Sequence, residues 1–219
     1  MKLKFPNNSN MDHLCNLIER YPKLNSVKSE IGNAFELIAE SFACGGKLLV
    51  AGNGGSASDA EHIVGELMKS FIRTRKLDDS FVSAIRDVDL EIAEYLVPRL
   101  QPGLPAIALS CHASLNTATI NDIDGNAIFA QQLYGYGNEG DVFLAISTSG
   151  NSKNVLYAAA TAKAKRMKVV ALTGGGGGKL SMFADVSIAV PETETHKVQE
   201  LHLPVYHCLC MMLEERFFP

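Results

Sequence analysis

Five short apolar runs constrain this chain more than any other feature. They are "KLLVAG" (47–52), "AIALS" (106–110), "DVFLAIST" (141–148), "KVVALTG" (168–174) and "VSIAV" (186–190). Each has the length of a strand and lacks polar alternation, the pattern of strands covered on both faces. Helical periodicity fills most of the gaps, at 56–72, about 124–136 and 152–166, and again at about 194–217. Buried strands alternating with helices predict an α/β fold, a parallel sheet with helices on both faces. Ligands of such sheets bind at the carboxyl ends of strands. The loops after Gly52, Ser110, Ile146 and Thr173 are therefore the places to look for a site.

The 219 residues suit one domain with a full core. An N-terminal helical arm covers about 1–45, with Ile31, Phe35, Ile38 and Phe42 at helical spacing and Gly45-Gly46 ending it. Residues 73–104 break the alternation and read as a helical excursion that ends in a Pro/Gly turn. The helix at 27–44 and the stretch 194–217 carry Phe35, Phe42, Leu209, Met211, Met212 and Leu213. That is more apolar surface than one sheet face could cover, which predicts packing against further copies of the chain.

The formal net charge of −4 gives no reason to expect nucleic acid or an anionic membrane as partner. The cluster Lys163, Lys165, Arg166 and Lys168 falls at a helix end, where the dipole favours cations. The five cysteines are odd in number, without a C-x-x-C pair. There is no apolar signal core and no run of about 18 apolar residues. A reduced cytoplasm is the expected compartment.

The first loop, "GNGGSASDAEHIVGE" (52–66), fits the dinucleotide fingerprint loosely through Gly52, Gly54 and Ala57. That fingerprint needs its next strand within a unit of about 30 residues, and here the next strand begins only near Ala106. No nucleotide cofactor is expected. A tight turn with Ser56 or Ser58 as helix cap and a phosphate cradle both remain open. The second loop, "ISTSGNSKN" (146–154), supplies hydroxyls at Ser147, Thr148, Ser149 and Ser152, with Gly150 permitting close backbone approach. Several hydroxyls and free amides at a helix start make an anion site without a cation. The third, "TGGGGGKLS", lacks the P-loop spacing and reads as a flexible turn. His62 and Glu66 stand at i and i+4 on one helix face, as a surface ion pair or as a functional pair. Gln199, His202 and His207 punctuate an otherwise apolar C-terminal stretch.

Taken together, "GNGGSASDAEH", Asn121-Asp122, "GDVFLAISTSGNSKNV", "KVVALTG" and "VQELHLPVYH" resemble the sugar isomerase (SIS) domain family, and within it the phosphoheptose isomerases. The resemblance covers about residue 30 to the C-terminus. It implies a flavodoxin-like five-stranded parallel sheet in three layers, and a homotetramer with active sites at subunit contacts. It implies that Asn53, Gly54, Gly55 and the adjoining Ser56, with Asn121, Asp122 and Gln199, contact a phosphorylated sugar. Ser147, Thr148, Ser149 and Ser152 correspond to the phosphate loop, and Glu66 and His207 to the proton-transfer residues. His62, Glu66, Gln199 and His207 correspond to zinc ligands of some members. The excursion at 73–104 is longer than the resemblance leads one to expect. The family also includes members that bind a replication-initiator protein, so a sensing or protein-binding module is the second expectation.

Aldose–ketose isomerisation moves a proton between neighbouring carbons through an enediol. It needs a base for the carbon-bound proton and a second group, or a metal, for the oxygens. Glu66 is the candidate base and His207 its partner, with the phosphate as a remote handle. Gln199 and His207 lie eight residues apart, a rise of about 12 Å on a straight helix, too far to share one ion. Either Pro204 kinks or restarts that helix, or the two act from different chains in a site shared between subunits.

Overall fold

The computed structural model describes the backbone from residue 8 and side chains from residue 12, through to residue 219. The start of the N-terminal arm, residues 1–7, lies outside the described residues. The chain runs α1 (Asn8–Arg20), α2 (Lys28–Ala43), β1 (Leu48–Ala51), α3 (Gly55–Met68), α4 (Asp79–Val88), α5 (Leu90–Leu96) and β2 (Ala106–Ala108). It continues through α6 (Ala113–Asp122), α7 (Ile128–Tyr136), β3 (Val142–Ser147), α8 (Lys153–Ala164), β4 (Lys168–Thr173), β5 (Val186–Ala189) and α9 (Thr195–Phe217). Every expected strand forms. The ten-residue α6 was not expected: "ASLNTATIND" carries no apolar stripe and buries only Thr119.

The five strands are parallel in the order β2-β1-β3-β4-β5. This is the flavodoxin-like order, whose switch point lies between β1 and β3. Alternate strand residues feed two cores. Leu48, Val50, Leu144, Ile146, Val170 and Leu172 pack under α1, α2, α3 and α9. Leu49, Ala51, Phe143, Ala145, Val169 and Ala171 pack under α7 and α8. Burial on both faces is why these strands read as unbroken apolar runs.

Two expectations are corrected. Phe35, Phe42, Leu209, Met212 and Leu213 are buried within the chain itself. Helix α1 adds the cover that one sheet face could not supply, so these residues give no argument for association. Pro204 neither breaks nor restarts its helix. It sits buried inside the continuous α9.

Candidate active site

Loops β1–α3 and β3–α8 leave the switch point towards opposite faces of the sheet and meet above it. Asn53 and Asn154 join them through reciprocal amide hydrogen bonds of 2.8 and 2.9 Å. Gly54 turns at φ +56°, a conformation glycine adopts without strain. A Cβ on Gly55 would run into the Gln199 amide, so glycine here lets α9 approach the loop. In the second loop Ser147 and Ser152 hydroxyls lie 3.1 Å apart, and Ser149 Oγ accepts from the Asn151 amide at 3.2 Å. Thr148 is half-buried and Ser149 exposed. The expected cap at Ser56 or Ser58 is corrected: Gly54 is the N-cap of α3, so both serines lie inside the helix, and Ser152, the N-cap of α8, makes no side-chain cap hydrogen bond. Both loops lead into a helix N-terminus, where free backbone amides favour an anion, and Ser149 is the exposed hydroxyl there.

The third loop is not a free turn. The Leu180 amide donates to Gly150 O at 2.9 Å, Lys179 N to Asn151 Oδ1 at 3.1 Å, and Gly174 N to Thr148 O at 3.0 Å. Gly150 (φ +63°) presses against the backbone of Gly177 and Gly178 with no room for a Cβ. The glycine run buttresses the serine loop from behind.

Helices α3 and α9 run parallel, side by side. Gln199 meets Gly55, Tyr206 meets His62, and Glu214 meets Phe71. This pairing builds a second cluster about two to three helical turns below the loops. His62 Nε2 lies 3.1 Å from Glu66 Oε1 and 3.4 Å from His207 Nε2. Tyr206 OH lies 3.1 Å from His62 Nδ1 and donates to Asp59 Oδ1 at 3.3 Å. With Nδ1 engaged by the tyrosine, His62 turns Nε2 towards Glu66 and His207. Lys69 Nζ holds Glu66 Oε2 at 3.1 Å. Burial lowers the His207 pKa, assisted by His62 and opposed by Glu66, so its imidazole is neutral at pH 7. Burial raises the Asp59 carboxyl, with Tyr206 and His62 opposing.

Of the residues expected from the sequence, His62, Glu66 and His207 come together, and so do Asn53, Gly54, Gly55, Gln199 and the serine loop. Asn121 and Asp122 do not join either group. They hydrogen-bond each other at the exposed end of α6, at 2.7 Å. Gln199 does not join the expected zinc set, because continuous α9 carries it to the loop end. His62, Glu66 and His207 are N and O donors of the kind zinc takes. They are hydrogen-bonded to one another, and among the described residues no group of three or more His, Cys, Asp and Glu is spaced to hold a metal ion. Asp59, Tyr206 and Asn154 were not anticipated. Asp59 alone left a trace, standing i, i+3 from His62.

A doubly wound sheet with two glycine- and serine-rich loops at its switch point, and an imidazole–carboxylate cluster alongside, defines an α/β domain of enzyme type. The chain belongs to the SIS domain family, whose model matches residues 15–96 and 91–174. It is 43% identical over 187 residues to the phosphoheptose isomerase of Methylibium petroleiphilum, covering 84% of this chain and 80% of that one. It is 40% identical over 189 residues to that of Thiobacillus denitrificans, covering 85% and 83%. Among solved structures, the phosphoheptose isomerase of Francisella tularensis superposes with a TM-score of 0.74 at 32% identity, covering 95% and 96%.

Proposed function

We propose that this chain is a phosphosugar isomerase that interconverts sedoheptulose 7-phosphate and a heptose 7-phosphate through an enediol. The observation that carries the reading is the convergence of Glu66, His62 and His207. A module that only senses a sugar phosphate or docks a protein needs the loops but not this cluster. In the forward direction Glu66 takes the proton from the hydroxyl-bearing carbon next to the carbonyl. Neutral His207 donates to the carbonyl oxygen as it gains charge, and accepts the proton of the neighbouring hydroxyl. Glu66 then returns its proton to the adjacent carbon. The serine loop holds the phosphate dianion, and being neutral it brings no competing cation to the base. Solvent deuterium should enter the substrate during turnover. Absence of exchange with sedoheptulose 7-phosphate and a panel of other ketose phosphates would remove the isomerase reading.

The two halves of the site are separated along one chain. From Gly55 to Glu66 helix α3 rises about 16 Å, more than a seven-carbon sugar phosphate spans from its reacting carbons to its phosphorus. This supports a homo-oligomer, a tetramer in our reading, in which the cradle of one copy meets the Glu66–His207 cluster of another. Zinc is proposed on donor chemistry alone. His62, Glu66 and His207 would have to leave their mutual hydrogen bonds to hold it, and bound there it would supply Lewis-acid polarisation of the substrate oxygens. Its test is zinc stoichiometry by elemental analysis in the wild type and in His207→Ala, read beside activity after chelation. Among the described residues no helix is long and apolar enough to cross a membrane. The unpaired cysteines fit the cytoplasm that we propose as its compartment.

A further inference from the structure

We propose that the buried Arg75–Glu214 ion pair is a positioning device that fixes α3 against α9, and so sets the spacing of Glu66 and His207. The inference rests on the acid–base roles given to those two residues above. Both side chains are 0% exposed, with Arg75 Nε donating to Glu214 Oε1 at 2.9 Å. A buried ion pair is a poor source of stability, since apolar residues of similar volume commonly do as well. What apolar residues could not reproduce is the set of hydrogen bonds this pair makes.

Arg75 Nη2 donates to the carbonyl oxygen of Glu66 itself at 3.0 Å. Its Nη1 donates to Leu67 O at 2.7 Å and to Pro102 O at 3.2 Å. The guanidinium thus caps the carboxyl end of α3, where a cation also complements the helix dipole. On the other side, Glu214 Oε1 accepts from the Phe71 amide at 2.7 Å, and Oε2 accepts from Ile72 and Arg73 at 2.8 and 3.2 Å. Glu214 follows His207 by seven residues, two turns along the same face of α9. The catalytic pair therefore shares one fixed point, about 10 Å below it along α9. The Phe218 ring covers the guanidinium at 4.5 Å and completes its exclusion from water. Lysine keeps the charge but lacks the planar fork that reaches two α3 carbonyls and the carboxylate at once.

The test compares wild type, Arg75→Lys and Val169→Ala. Val169 is fully buried on the opposite sheet face, so its variant controls for lost stability. Arg75→Lys should lose 10- to 100-fold in kcat, the order expected for a misplaced catalytic pair, with KM changed less than about twofold because the cradle is untouched. Val169→Ala should lower Tm without that loss. Where Arg75→Lys folds poorly, Arg75→Ala is assayed with added guanidinium ion, which should restore kcat. Crystal structures of wild type and variant supply a readout independent of turnover. The contacts of Glu66 Oε1 and His207 Nε2 with His62 should open beyond hydrogen-bond range in the variant. Unmoved side chains, or a kcat loss matched by Val169→Ala at equal Tm, would overturn the proposal. An opened cluster in a protein whose wild type shows no isomerase activity would uphold the clamp and sink the functional reading.

Discussion

Two residues invite direct prediction. Glu66→Gln keeps the size and one acceptor oxygen of the base but cannot take a proton. Turnover should fall by at least about 100-fold, while binding of the phosphorylated sugar, read by calorimetry, stays within a few-fold. Retained turnover would reassign the base. His202 is the second. It is fully buried on α9, neither ring nitrogen is hydrogen-bonded among the described residues, and burial holds its pKa at about 4, a backbone contact with Thr173 opposing only in part. The folded chain thus binds this proton less readily than the unfolded one. The stability involved is complete above about pH 6.5 and is lost as pH falls towards about 4, a contribution of roughly 3 kcal/mol. His207 acts in the same direction. Melting temperatures should drop between about pH 7 and pH 5, and drop less in His202→Leu. An equal drop in that variant would assign the acid sensitivity elsewhere. At this scale the sequence was readable where chemistry sits within one element, as for His62 and Glu66. Tyr206 and Glu214 were not readable. Their partners stand 144 and 143 residues away, and only the parallel docking of α9 on α3 makes them neighbours.

At the scale of elements, the strands were legible because double-sided burial writes itself as apolar runs, whereas α6, with one buried residue, wrote almost nothing. The excursion at 73–104 was visible as helix but not as to its use. Helices α4 and α5 pack on each other. Among them only Ala93 is buried, while Phe81, Val88, Leu90, Ile92 and Tyr95 are exposed. The base of the excursion is a different matter. Ser70 N donates to Gln101 Oε1 at 2.9 Å, Leu104 N donates to Leu67 O at 2.9 Å, and Arg75 grips Pro102. Stability should therefore reside in the base and not in the helices. Replacing residues 78–97 by a short Gly/Ser linker should shift Tm by no more than about 4 °C. A collapse of the transition would show that the hairpin is part of the cooperative core.

At the scale of the molecule the question is where one complete site is assembled. Within a chain, the serine loop and the Glu66–His207 cluster lie at different levels of the α3–α9 pair, and continuous α9 puts about 12 Å between Gln199 and His207. If one substrate must touch both, two copies must supply them. Two variants make that testable. Ser149→Glu places a negative charge in the phosphate cradle and leaves the cluster intact, whereas Glu66→Gln leaves the cradle intact and removes the base. Each should be inactive alone. Unfolded together and refolded as mixed oligomers, they should regain about a quarter of wild-type activity, because half of random pairings are mixed and one site in each mixed pair combines the two sound halves. A site contained within one chain would regain nothing, since every chain then carries one lesion. Sedimentation at micromolar concentration should show a species of at least two 23.7 kDa chains. A monomer that remains active would place the whole reaction within one chain and require the α3–α9 groove to admit the sugar lengthwise.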